Sequence, residues 1–357
     1  MLIFDLLIYG LLLLLLLWNG KPGKYADDKK QVLENLNALR GIFAVEIIIG
    51  HGIRYEQSVL YPLGKFMICS VAFFFFISAM GLTISFQEKK EKYLTYRFWL
   101  TKPCYLLLLA VLIYLINYAV DLISGRNAGY YCRPVFSNFF TATNWYLWMQ
   151  IIFYVVFYLV YKYIKKYRVL LVAVFALVSG VVFYILGFVE GWWASGFAFP
   201  LGLMFGEHYE KLKKKLYSAE GVIGIAALAL FGSLCLIIPA ENVITTVFMR
   251  NAVCIAAIVV FWLVCSRFRL GNNSVSRGLG RISTELYISQ FIWLRLSETY
   301  ESGYQYGLLF VCAATFLTAV CIHPVVLGLK KIRLKVSDRG TVTTRNNQCK
   351  KGLLPDK

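Results

Sequence analysis

Charge is scarce in this sequence. Charged side chains make up 16% of its 357 residues, against roughly 25% in a soluble globular chain. So small a fraction cannot cover a water-soluble body of this size, whereas lipid solvates apolar side chains directly. Charge of one sign is scarcer still, with 19 Asp and Glu against 37 Lys and Arg. The basic residues form no polar face; they stand in short clusters between long apolar runs. That pattern is the positive-inside signature of a membrane protein, and it argues against nucleic acid as a partner. Cys-x-x-Cys is absent, and no even set of cysteines sits in an exterior loop. Cys69, Cys104, Cys235, Cys254, Cys265, Cys312 and Cys321 lie in or beside apolar runs and read as small packing residues, so there is no case for a structural zinc site or any other metal site. P-loop, Gly-x-Ser-x-Gly, His-Glu-x-x-His and EF-hand signatures are also missing.

What is present is a series of apolar segments. The first, Leu2 to Trp18, is almost pure Leu and Ile. No basic stretch precedes it and no small-x-small cleavage site follows, so it does not read as a cleaved signal peptide. It is either a short spanning helix or an interfacial anchor. After the polar, basic segment 19–34 come ten more, at about 36–54, 66–86, 102–123, 143–161, 168–187, 192–207, 220–238, 246–265, 280–298 and 305–329. A spanning helix takes about 20 apolar residues. The expected fold class is therefore all-α: a polytopic membrane helix bundle of ten core transmembrane helices plus one extra N-terminal apolar segment. Residues 1–35 form the N-terminal apolar segment and a basic linker, 36–329 the membrane domain, and 330–357 a basic tail expected to be mobile.

Orientation follows from the basic residues. Segments 19–35, 87–102, 162–168, 207–219, 266–281 and 330–357 hold 30 of the 37 Lys and Arg. These segments should face the cytosol, so that the ten-helix body begins and ends there. The expectation is a multi-pass protein of the cytoplasmic (inner) membrane, with its C-terminus cytosolic and the bilayer as its main partner. Trp18, Trp145, Trp148, Trp192 and Trp193 stand at segment ends, where interfacial aromatics belong.

Ionisable groups inside a bilayer are costly, which makes each a functional candidate. The first body segment holds three: Arg40, Glu46 and His51. Arg40 and His51 are eleven residues apart, about 20° after whole turns and about 16 Å along the axis, so they share a face. Glu46 points about 120° away from Arg40, and an arginine on another helix would suit it as a partner. Arg40 falls in the first cytosolic turns, where it can meet an anionic group. His51 lies toward the outer half, where a neutral imidazole can take a proton from an alcohol. The same spacing also fits a snorkelling arginine and a histidine at the far interface. Glu285 opens an apolar segment, where a carboxylate suits the helix dipole. His323 precedes Pro324 and reads as a satisfied histidine at a kink.

Five short motifs now fall in order. Leu36-Asn-Ala-Leu-Arg40-Gly through Gly50-His51 resembles the Arg-x10-His opening of the acyltransferase-3 family. Phe73-Phe-Phe-Phe-Ile-Ser78-Ala79-Met-Gly81 is similar to the family's Phe-Phe-x-x-Ser-Gly stretch, with Ala79 in place of glycine. Tyr96-Arg97-Phe-Trp-Leu-Thr-Lys102-Pro103 resembles its basic stretch before the third helix, and Trp145-Tyr146-Leu147 its Trp-aromatic-Leu opening of the fourth. Leu279-Gly-Arg-Ile-Ser283 through Tyr287-Ile-Ser-Gln290 resembles the Gly-x-x-Ser-x-x-x-Tyr-x-x-His of the ninth, with Gln290 where many members carry histidine. The resemblance spans about residues 36–329, with ten helices as in the family.

The resemblance implies an integral-membrane O-acyltransferase. Its donor substrate would be acyl-CoA, most simply acetyl-CoA, with no tightly bound cofactor. The acceptor would be a carbohydrate or lipid-linked glycan of the cell envelope. His51 is then the base or acyl-relay residue, and Arg40 steadies the donor or the transition state. Arg97 and Lys102, with Lys89, Lys90 and Lys92 nearby, hold CoA phosphates by charge-assisted hydrogen bonds. Ser78, Trp145, Tyr287 and Gln290 line or buttress the cavity. Gln290 cannot transfer protons near neutral pH, which leaves His51 to act alone. A homo-oligomer, or a separate partner on the envelope side for any second acyl-transfer step, is compatible with this reading. The competing reading is a transporter or flippase of an acyl group or glycan. Against it stand the lack of an internal repeat, of paired helix breaks and of a dense intramembrane carboxylate set.

Overall fold

The computed structural model describes residues 2–22, 29–53, 58–123, 145–237, 242–271, 273–299 and 306–328. The expected mobile tail and the loop 124–144 lie outside the described residues. Helix dominates: α1 (Leu2–Leu17), α2 (Lys29–Gly52), α3 (Tyr61–Lys89), α4 (Tyr96–Thr101), α5 (Pro103–Ile123), α6 (Trp145–Tyr163), α7 (Arg168–Ile185), α8 (Gly191–Ala194), α9 (Ala198–Glu207), α10 (Tyr209–Leu216), α11 (Ala219–Ile237), α12 (Val243–Arg267), α13 (Ser274–Arg281) and α14 (Ser283–Thr299), then α15 (Tyr306–Gly328). The only strands among the described residues are two-residue pieces, Lys21–Pro22 and Phe268–Arg269, paired antiparallel.

The architecture is an all-α bundle. Among the described residues six helical spans are long and apolar enough to cross a membrane, and seven if α10 and α11, bent by 86°, count as one. Ten crossings were expected from the apolar runs. The expected segment 192–207 breaks into α8 and the ten-residue α9, and ten residues rise only about 15 Å, half a hydrocarbon core. The polar start of α2 and the 17-residue length of α14 set those two helices apart from the six.

Helix α3 is the axis of the bundle, packed by α2, α9 and α12. Its run Phe73–Phe76 is buried throughout, with Phe73 meeting Phe43 of α2 and Phe261 of α12. Helix α13 lies across the basic end of α2 with backbones in contact. A side chain at Gly41 would collide with Leu279 and Gly280, and one at Gly280 with the Asn37 carbonyl. Only glycine permits that approach, the small-residue device of membrane helix pairs. It sets the start of α14 beside Arg40.

Helix α1 runs the length of this layer. Near its start, Asp5 is buried and accepts a 2.8 Å hydrogen bond from Ser58 Oγ, just beyond α2. Near its end, the Leu15 carbonyl accepts from Asn273 Nδ2 at 2.7 Å. Asn273 also caps α13 through Ser276 N at 2.8 Å. Sixteen residues rise about 24 Å, so α1 links the two ends of the bundle rather than lying along one of them.

Candidate functional site

Three helices present polar stripes at helical spacing to one cavity of about 390 Å3. From α2 come Leu33, Asn37 and Arg40; from α3, Ser78, Gly81 and Ser85; from α6, Tyr146, Gln150 and Tyr154. Steps of three and four residues keep each set on one helix face. Thr101, Lys102 and Tyr105 close the side nearest the basic loops, and Thr284 of α14 completes the lining. Among the described residues, two cations and no carboxylate line this space, which suits an anionic ligand.

Arg40 is held without being neutralised. Its Nη1 and Nη2 donate long hydrogen bonds to Asn37 Oδ1 (3.5 Å) and Thr284 Oγ1 (3.4 Å). Its guanidinium lies 5.6 Å from the Phe74 ring centroid. No carboxylate pairs with it among the described residues, and its buried Nε has no hydrogen-bond partner. Lys102 Nζ stands 6.0 Å from the centre of the Tyr154 ring. Ser78 lies beside the phenols of Tyr146 and Tyr154.

A second group forms around His51 at the other end of α2. His51 Nδ1 is 2.9 Å from the Ile47 carbonyl. A carbonyl only accepts, so Nδ1 is the donor in this contact, and in the neutral ring Nε2 is then the nitrogen that can accept a proton. The ring meets the edge of Phe291 with centroids 5.2 Å apart. Gln290 lies beside it, donating through Nε2 to the Tyr287 carbonyl at 2.9 Å, while its Oε1 is buried without a partner. Tyr287 is fully buried and its hydroxyl has no partner. Its ring packs against Tyr146 at 4.9 Å and Phe291 at 6.3 Å. Tyr146 and Tyr287 thus form the wall between the cavity and the histidine.

The sequence-derived site therefore divides in two. Arg40, Ser78 and Lys102 line one cavity; His51, Tyr287 and Gln290 gather beyond its inner wall. Trp145 lines neither: its indole lies flat against Gly191 of α8, where any added side chain would collide with the ring, and so it buttresses α6. Arg97 is exposed on α4 and does not line the cavity. Lys89, Lys90 and Lys92 face a separate cleft at the same end of the bundle, shared with Lys162, Lys165 and Arg168. Glu46 is buried, lies beside Ser70, and meets no arginine among the described residues. Glu285 is not a free dipole partner but binds His323 Nδ1 at 2.9 Å, which satisfies that histidine. Gln150, Tyr154 and Thr284 were not singled out from the sequence, although Tyr146, Gln150 and Tyr154 repeat every four residues along α6.

A family model for an acyltransferase domain matches residues 33–325, which holds every residue of both groups. No curated protein and no solved structure matches.

Proposed function

This chain belongs to the acyltransferase-3 family, and from that premise we propose that it moves an acyl group, most simply acetyl, from acyl-CoA to a hydroxyl of a cell-envelope carbohydrate. The observation that carries the donor side is the cavity at the basic end, which Arg40 and Lys102 line and where no carboxylate is found among the described lining residues. In this reading the basic loops lie on the cytosolic side of the inner membrane. The CoA phosphates sit near Lys102 and Arg40, and the thioester arm points along α2 toward His51.

The chemistry is a proton transfer coupled to acyl transfer. His51 Nε2 accepts the proton of the sugar hydroxyl as its oxygen attacks the thioester carbon. The carbonyl π electrons move onto oxygen, then return as the C–S bond breaks. The thiolate takes the proton from the imidazolium, which restores the neutral ring. The Nδ1–H to Ile47 contact holds the tautomer this requires throughout. Arg40 steadies the donor. The Tyr146–Tyr287 wall must part for the arm to reach the histidine.

Donor binding to purified protein tests this reading. Acetyl-CoA should raise the melting temperature of the wild type, because a ligand that binds only the folded state stabilises it by mass action. The shift should vanish in Arg40→Ala. A folded wild type that shows no shift with any acyl-CoA would move the assignment to transport.

A further inference from the structure

Gln150 is 1% exposed, and among the described residues neither its Nε2 nor its Oε1 has a hydrogen-bond partner. It nevertheless lines the cavity, between Tyr146 and Tyr154 on the face of α6 that looks toward Arg40. A buried polar group without a partner costs about 1–3 kcal/mol, and an amide carries two such groups. Leucine would fill the same space at no such cost. The position therefore costs stability in the resting protein, which is the mark of a side chain kept for a ligand.

The two unmet groups define what that ligand must offer. Nε2 needs an acceptor and Oε1 needs a donor. A phosphate dianion offers acceptors only and would leave Oε1 unmet. A sugar hydroxyl offers both, but gains nothing from the two cations lining the same cavity. A secondary amide close to an anionic group meets every condition. Within the acyl-CoA reading, on which this rests, that group is the pantetheine arm, whose amides each carry one N–H and one C=O. We propose that Gln150 is the docking residue for the amide-bearing arm of the donor: Nε2 donates to one arm carbonyl and Oε1 accepts from an arm N–H. Tyr146 and Tyr154, one turn to either side, wall the arm. Gln150 would thereby tell a pantetheine thioester from a plain alkyl thioester.

The test compares wild type with Gln150→Leu, using acetyl-CoA and S-ethyl thioacetate, which has no amide, as donors. Gln150→Leu should raise the KM for acetyl-CoA about tenfold, the loss of roughly one to two hydrogen bonds to a ligand. It should leave kcat/KM for S-ethyl thioacetate within twofold. The ligand-free melting temperature should hold or rise, because an unpaired amide has been removed. Equal losses with both donors, or an unchanged KM for acetyl-CoA, would overturn the assignment; a lowered melting temperature with unchanged KM would make Gln150 a packing residue. A wild type that transfers from neither donor would instead remove the acyl-CoA reading itself, and this inference with it.

Discussion

The middle and the far end of α2 make a natural comparison. Around Arg40 the protein is open and polar, with three helices turning amide and hydroxyl stripes to one space. Around His51 it is closed and aromatic, with Phe291, Tyr287 and Tyr146 in edge contact. A binding end needs fixed cations that are not already paired, and Arg40 has no acidic partner among the described residues. A reacting end needs one tautomer, and half-buried His51 has a carbonyl to hold its Nδ1 proton and the edge of Phe291 beside its ring. The difference teaches that one helix can separate donor recognition from proton transfer by about three turns, roughly 16 Å.

Five substitutions probe that division. The largest effect should come from His51→Ala, which should lower transfer about 10^3-fold, within the range of general-base contributions. The thermal shift with acetyl-CoA should persist, and losing the shift as well would mean that the two ends are one site. Arg40→Ala should act at the other end, raising KM for acetyl-CoA about 10- to 100-fold, as expected for lost charge-assisted hydrogen bonds. A fall in turnover at saturation with KM unchanged would place Arg40 with the chemistry. Gly280→Ala should push α13 off Asn37 and move Thr284 from Arg40. It should cost about 1–3 kcal/mol of stability as overpacking, read as a lower melting temperature, and should weaken donor binding. The smallest effect separates two cations that the sequence treats alike. Lys102→Ala should raise KM several-fold, whereas exposed Arg97→Ala should stay within about twofold and respond to ionic strength. Equal losses would extend the donor site out to α4.

Legibility in the sequence followed the same line. Helical periodicity and the basic clusters were enough for an all-α membrane bundle, and the Arg40–His51 spacing was enough to place both residues on one helix. Lys102, Ser78 and Arg40 line one cavity, Arg40 and Ser78 from the middle of their helices and Lys102 from the junction of α4 and α5. Trp145 does not, since whether an indole faces a cavity or a glycine backbone depends on α8, a neighbour that no local pattern reveals. Gln150 had a signal in its spacing from Tyr146 and Tyr154. A lone amide in an aromatic helix reads as packing until the structure leaves both of its atoms unpaired. The count of crossings failed to emerge for a plainer reason: composition reports apolar length, and α9 is apolar but too short.

The tethers of α1 bear on how the molecule is assembled. The Ser58 hydroxyl that binds Asp5 follows it by 53 residues, so that clasp is available almost as soon as α2 has been made. The Asn273 amide that receives Leu15 follows it by 258 residues. At ribosomal speeds of about 5–20 residues per second, that gap is on the order of ten to fifty seconds. Through that interval the first helix is fastened at one end only, and the bundle is finished by a late segment reaching back to close its earliest seam.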